Sequence, residues 1–344
     1  MAQINKPTDY FNTVLYTGTG SSNAITGVDF QPDWVWIKCR DDTHNHQVFD
    51  SVRGVYKRMR TDTAGAETES NESLKSFDSD GFTLGTQANV NNNSNTFASW
   101  NWLASNTTAS NTDGSITSTV SANTTSGFSI VSYTGTGTQP STVGHGLGVT
   151  PKMIIVKPRT DAQSWCVYHE SVGAGYVTYL DVSSASGGSS VWNSTSPTSS
   201  VFTVNDNQVN SSGITYIAYC FAEKKGFSKF GSYTGNGSLD GTFIYTGFKP
   251  AWFLIKSSSN SEQWEMVDNK RDTINPLNLL LYPDQSAAEF TGSTGDRLHC
   301  DFTANGVKLR GNASSANGSG LSYIFMAFAE NPFVTSSGIP ACAR

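Results

Sequence analysis

The sequence predicts an all-β protein made of three tandem homologous domains, each a sandwich- or jelly-roll-like unit of about 100 residues. Three observations predict it. Apolar runs are short, rich in Val, Ile, Phe, Tyr and Trp, and bounded by Gly, Pro, Asn, Asp and Ser, which is strand and turn chemistry. No segment combines a 3.6-residue apolar period with helix caps. Finally, one phrase recurs: "YTGTG" at residues 16–20 and again at 133–137, and "YTGNG" at 233–237.

The repeat has further markers in fixed order. Downstream of Tyr16, Tyr133 and Tyr233 come "QPDWVWIKCR", "TPKMIIVKPR" and "KPAWFLIKSS", with Pro32, Pro151 and Pro250. A lysine stands six residues after each proline: Lys38, Lys157 and Lys256. Eleven residues further lie Phe49, Tyr168 and Val267. Each unit ends in an aromatic run: "FASWNWLAS", "YIAYCFAE" or "YIFMAFAE". The proline-to-aromatic spacing is 65 residues to Phe97, 65 to Tyr216 and 73 to Tyr323. A period this long exceeds the 20–50 residues of solenoids and propellers and suits a domain with its own core.

The elements follow in order. The tyrosine ends a strand, and the glycines after it turn the chain. The proline cannot donate a ladder bond and belongs at a strand entrance. In "DWVWIK", Trp34, Trp36 and Lys38 share one face while Val35 and Ile37 share the other. Both faces are apolar, which predicts a central strand covered on both sides. The three lysines are expected to snorkel at a strand end.

Residues 1–8 read as an N-terminal arm, 9–105 as the first repeat, 106–114 as a linker, 115–223 as the second repeat, 224–330 as the third and 331–344 as a C-terminal tail. "SITSTV" (115–120) reads as an extra strand hairpinned onto "FSIVSY". Only "EKKG" separates the second and third repeats, which forces them into contact. The two ends carry too little apolar surface to fold alone, so partners are expected to order them.

Charged residues make up only 15% of the chain, and the net charge of −6 comes without a basic patch, so nucleic acid is not an expected partner. No run of about 18 apolar residues predicts membrane insertion. The opening "MAQINKPTDYFNTV" lacks an apolar signal-peptide core, which predicts synthesis in a cytoplasm. Aromatic residues at 12% supply core material that disordered chains lack. The five cysteines, Cys39, Cys166, Cys220, Cys300 and Cys342, show no C-x-x-C spacing and predict no disulfide framework.

Catalysis needs a placed nucleophile, base or metal. His44 and His46 form an H-x-H pair beside Asp41 and Asp42, but no third ligand has recognisable spacing, and a polar loop is the expected reading. His145 lies between glycines and reads as a turn residue with local hydrogen bonds. His169 and Glu170 could serve acid–base work, yet the matching positions hold Asp50 and Asp268, which suggests a polar strand end. No nucleophile elbow, P-loop, H-E-x-x-H or EF-hand is present. The expectation is no catalytic residue, no cofactor and no metal. Trp165, Trp192 and Trp264, flanked by short polar residues, are candidate glycan-stacking rings, but sandwich core is the expected reading, because such domains need large aromatic fillers.

"NKPTDYFNTVLYTGTG", "VGHGLGVTPKMIIVKPR", "YTGFKPAWFLIK" and the ending "AFAENPFVTSSGIPACAR" resemble a family of tailed-phage virion structural proteins, marine and cyanophage types especially. That family has a repeated β-sandwich domain of unknown function and is often labelled tail-fibre-like. The resemblance implies a virion component assembled in the host cytoplasm, partnered by other tail or capsid proteins and forming a homo-oligomer. The implied role is a tail fibre, spike or adhesin that contributes to attachment to a host-surface glycan. A head decoration or head-fibre protein is the alternative, and a polysaccharide-degrading tail enzyme a further one. It carries over no catalytic residue.

Overall fold

In the computed structural model, which describes residues 2–292 and 297–340, strands form almost every element. Helix among the described residues is limited to two four-residue turns and one 3-10 turn, so the chain is all-β.

Each unit places its dense apolar strand inside an antiparallel sheet. In the first, the order is Phe11–Thr17, Thr96–Trp102, Trp34–Cys39, Gln47–Asp50. The third repeats it with Ser228–Thr234, Ser322–Pro332, Phe248–Ser257 and Glu265–Asp268. The second repeats it with Phe128–Thr134, Thr215–Phe221, Met153–Pro158 and Cys166–His169, and adds strands at both edges. Registers match as well. Lys38 pairs with Ala98, Lys157 with Ile217 and Lys256 with Ile324, each one residue beyond the aromatic marker. Phe49 faces Val35, Tyr168 faces Ile154 and Val267 faces Phe253.

The lysines do not snorkel. All three are fully buried, and each ammonium donates to the carbonyl of the next residue: Cys39 (2.7 Å), Pro158 (2.9 Å) and Ser257 (3.0 Å). Burial pushes each lysine pKa down to about 8. Each is the penultimate residue of a strand covered on both faces, and its ammonium folds back onto the strand's own last carbonyl instead of reaching water.

The two faces of "DWVWIK" pack against different layers. Val35, Ile37 and Cys39 turn outward onto a small second sheet formed by Asn23–Thr26, Gly81–Leu84 and Leu74–Asp78, with Ile25, Phe82 and Leu84 between the layers. The other units have corresponding outer layers, with Val143 and Phe202 in the second and Ile244, Phe302 and Val307 in the third. Trp34 and Trp36 turn inward, where they join Trp100 and Trp102, Ile155, Trp165 and Tyr219, and Trp252, Trp264 and Phe328 in one cluster drawn from all three units. Trp34 stacks on Tyr219 with centroids 4.6 Å apart, and Trp102 meets Trp252 edge-on at 5.8 Å. The expectation of a self-sufficient core in each unit is therefore corrected. Every unit has a private outer core and a share of a common inner one.

The recurring Y-T-G-x-G phrase has a structural cause. Tyr16, Tyr133 and Tyr233 stack on Phe97, Tyr216 and Tyr323 at 5.1, 5.0 and 4.9 Å. Their hydroxyls donate to the carbonyls of Val90, Val209 and Ala316 at 2.7, 2.7 and 2.6 Å. A Cβ on Gly18, Gly135 or Gly235 would lie 2.0–2.3 Å from the carbonyl oxygen of Asn92, Ser211 or Gly318. The second glycine of each phrase has φ between +64° and +74°. Each loop is closed by a fully buried asparagine: Asn91, Asn210 or Asn317. Its Oδ1 accepts the loop amide of Thr19, Thr136 or Asn236 at 2.8–3.0 Å, while its Nδ2 donates to loop carbonyls.

The arm and linker belong to the body. Ile4 is buried in the common core, and the Gln3 amide donates to the Lys225 carbonyl (2.9 Å). Asn5 bonds Ser336 of the tail through side chain and backbone. Within 106–114, Ala109–Asn111 pairs with Ser118–Val120. The extra strand is real but spans Ser118–Asn123, pairing with Phe128–Tyr133. Cys39, Cys166, Cys220 and Cys300 are free and buried; Cys342 lies outside the described residues.

Candidate functional site

The units close into a ring with three seams, and equivalent residues meet at each. The amide of Glu67 donates to the Arg159 carbonyl (2.8 Å), Ser186 to Ser258 (3.1 Å) and Glu289 to Arg40 (2.6 Å). One buried ring also crosses each seam to a carbonyl. Trp165 Nε1 donates to Arg60 (2.9 Å) and Trp264 Nε1 to Tyr179 (2.8 Å). At the third–first seam the position holds His46, whose Nε2 meets the Tyr282 carbonyl at 2.9 Å. Its Nδ1 accepts from Trp36 Nε1 (2.8 Å), so the proton sits on Nε2. Burial holds this imidazole well below its ordinary pKa and keeps it neutral.

Two seams are charged. Arg53 is buried, pairs with Asp50, and donates to the carbonyls of Lys57 (3.2 Å) and Val48 (3.0 Å) and to Glu67 (3.1 Å). Glu67 in turn receives Arg159 of the second unit in a two-pronged contact at 3.0 Å each. Tyr219 crosses to Asp50 (2.7 Å). Burial alone would raise the Glu67 carboxyl, but Arg159 and Arg53 outweigh it and hold the group below its ordinary value. The third–first seam repeats the arrangement. Arg271 binds Asp268 (2.5 Å) and Glu289 (2.9 Å), Glu289 binds Arg40 of the first unit (2.8 and 3.1 Å), and Trp100 crosses to Asp268 (3.1 Å).

The second–third seam breaks the pattern. His169 stands in place of Asp50 and Asp268, Val172 in place of the buried arginine, Ser186 in place of the glutamate and Ser258 in place of the second arginine. His169 accepts the Ser171 amide at Nδ1 (3.2 Å) and donates from Nε2 to the Phe325 carbonyl (3.2 Å). Burial pushes its pKa down to about 4. With no arginine or glutamate to fill it, the seam is left with an open hollow of about 240 Å³ lined by Ser171, Val172, Tyr176, Ser186, Ser258 and Ser322. The corresponding residues at the first–second seam are Val52, Arg53, Lys57, Glu67, Arg159 and Thr215. Tyr176 stands at the mouth with half its surface exposed. A larger, more open depression of about 510 Å³ lies at the third–first seam between Thr43–Asn45 and Asp284–Ala287. Its carboxylates are already engaged: Asp62 by Asn45 (2.8 Å) and Asp284 by the Trp264 amide (3.3 Å).

The rings named from sequence are not at any surface. Trp165, Trp192 and Trp264 are 0, 2 and 1% exposed, so no face is free to stack on a sugar. Trp165 and Trp264 hold seams, and Trp192 packs edge-on against Tyr168 in the second unit's outer core. The core reading of these rings therefore fits and the glycan-stacking one does not, because aromatic residues flanked by polar ones in sequence can still point inward. His44 and His46 do not converge: the first meets Asn89 (3.0 Å), the second is committed as above. His145 makes the expected local bond, accepting the Leu147 amide (3.2 Å). Sequence reading missed Tyr176, Ser186 and Ser258. The available signal was the aligned repeat itself, in which Ser258 falls where Arg40 and Arg159 stand, two residues after the lysine.

Residues 6–332 match the family described as Domain of unknown function (DUF7483), and the chain belongs to that family. No curated protein and no solved structure matches the chain.

Proposed function

We propose that the chain is a structural component of a tailed-phage virion, exposed on the tail as part of a fibre, spike or adhesin, and that it works by attachment without catalysis. The observation that carries the reading is the arrangement of three equivalent units around one aromatic core. Such a body presents three related surfaces at fixed separations. Weak contacts made from a rigid body become intramolecular after the first, which raises avidity by roughly 10²–10⁴. The largely exposed edge segments "NTTASNTDGS" and "SSASGGSS" are built from small polar residues, which suits variable hydrogen bonding to a host glycan. The motif resemblance to phage structural proteins supports the same reading. The assembled partners would be other virion proteins and further copies of this chain.

The test is location followed by adsorption. Labelled antibody against the chain, viewed on intact particles, is expected to decorate the tail tip. Particles lacking the chain are expected to adsorb to host cells more slowly. Label on the head with normal adsorption would replace attachment by head decoration.

A further inference from the structure

We infer that the hollow at the second–third seam binds one neutral saccharide residue. The inference deepens the attachment reading, on which its biological use rests, but the binding itself is argued from the residues alone.

The first argument is the broken symmetry. At two seams this volume is occupied by an arginine–glutamate–arginine chain that hydrogen-bonds across units. At the remaining seam the same backbone crossing is kept, from Ser186 to Ser258, while Val172, Ser186 and Ser258 stand in place of the arginine, glutamate and second arginine. The wall stays and the filling is gone. A guest that replaces the filling must supply hydrogen bonds, because the opening is rimmed by hydroxyls.

The second argument is the chemistry of the lining. Ser171, Ser186, Ser258 and Ser322 line the hollow, and a serine hydroxyl carries one proton to donate and lone pairs that accept. Ser258 donates its one proton to the Ser322 carbonyl (3.1 Å) and Ser186 hydrogen-bonds Thr178 (2.5 Å), which orients both hydroxyls and leaves the Ser258 oxygen to accept from a guest. None of the six lining residues is charged, and the nearby Glu170 is paired with Lys152. A charged guest would therefore enter without a counter-charge, which is costly in a partly desolvated site. Val172 gives an apolar wall and the half-exposed Tyr176 ring an apolar lip. Hydroxyls around an apolar wall and an aromatic edge match the two kinds of surface on a pyranose. The volume, about 240 Å³, lies below the 300–1,000 Å³ of pockets for drug-sized ligands and suits a single ring.

The experiment is ligand-observed saturation-transfer NMR on the full chain with glucose, galactose, mannose and N-acetylglucosamine, and with glucuronate and glucose 6-phosphate as charged counterparts. At least one neutral sugar is expected to bind with millimolar affinity. Two variants locate the site. Tyr176→Ala removes the lip and, being half exposed, leaves the fold intact. Ser186→Glu with Ser258→Arg rebuilds the filling used at the other seams. Each is expected to weaken binding at least tenfold. If no neutral sugar binds at tens of millimolar, if only the charged sugars bind, or if the folded Tyr176→Ala protein binds as the wild type does, the inference is overturned. Antibody labelling of particles is independent of all these outcomes, so failure here leaves the virion reading standing.

Discussion

His169 shows what one substitution within a repeat can cost and allow. Its counterparts Asp50 and Asp268 are carboxylates held by buried arginines, whereas His169 has Val172 at the arginine's position, donates to a backbone carbonyl and is kept neutral by burial. The sign of its effect on stability follows. The folded pKa is about 4 and the unfolded value about 6.5, so between these limits the unfolded chain takes a proton that the native state refuses. Stability is lost as pH falls through that window, on the order of 3 kcal/mol at 1.36 kcal/mol per unit. Comparing wild type with His169→Gln by urea unfolding isolates this group, because other titrations cancel. The wild type's advantage is expected to shrink by that amount between pH 7 and pH 4. A difference that does not change with pH would mean that His169 is not held neutral by burial.

At the scale of the element, the clasp around each Y-T-G-x-G loop explains why the phrase recurs. The tyrosine and glycines were legible in sequence because they recur as one phrase, in the same order and at the same place in each unit. The asparagines that close the loops were not. Asn91 lies in "ANVNNNSNT", where five asparagines look alike, and it meets Thr19 across 72 positions. Strand alternation was legible for a different reason: a two-residue period survives in any short run, so the two faces of "DWVWIK" could be assigned before any contact was known. The clasp makes a quantitative expectation. Replacing Asn210 by Ala leaves the Thr136 amide and the Thr138 carbonyl without their partner in a part-buried setting. At 1–3 kcal/mol per orphaned group, the variant should lose about 3 kcal/mol. Gly135→Ala should cost a similar amount, since its new methyl would collide with the Ser211 carbonyl. Chemical denaturation of both, with exposed Ser212→Ala as a control near zero, checks the assignment. Losses below about 0.5 kcal/mol for Asn210→Ala, the range of ordinary surface changes, would show that the clasp is incidental.

At the scale of the molecule, sequence could count the units but not say what covers their inner faces. Both faces of the central strands read as apolar, and nothing local distinguishes a cover supplied by the same unit from one supplied by its neighbours. Seam residues were hidden for the same reason, since Glu67 and Arg159 are 92 positions apart. The common core has a direct thermodynamic consequence. Trp34 packs on Tyr219 and Phe221 of the second unit, and Trp102 on Trp252 and Phe328 of the third, so unfolding any one unit exposes large aromatic surfaces on the others. Burial of such side chains contributes about 1.5–3 kcal/mol each, and a unit that left the ring would forfeit several of them at once. Departure of the first unit would also break both arginine–glutamate bridges, and departure of the second or third would break one, leaving buried charges unpaired, which is strongly unfavourable. Calorimetry of the whole chain is therefore expected to show one transition, with calorimetric and van't Hoff enthalpies in agreement. Trp252→Ala, placed in the third unit, should shift that single transition without splitting it, at a cost of about 3–5 kcal/mol. A peptide of residues 224–330 alone should fail to unfold cooperatively, because Trp252, Trp264 and Phe328 would face water. Three resolved transitions, or a cooperative melt of the isolated third unit, would mean that the outer cores suffice and the shared one is only a contact surface.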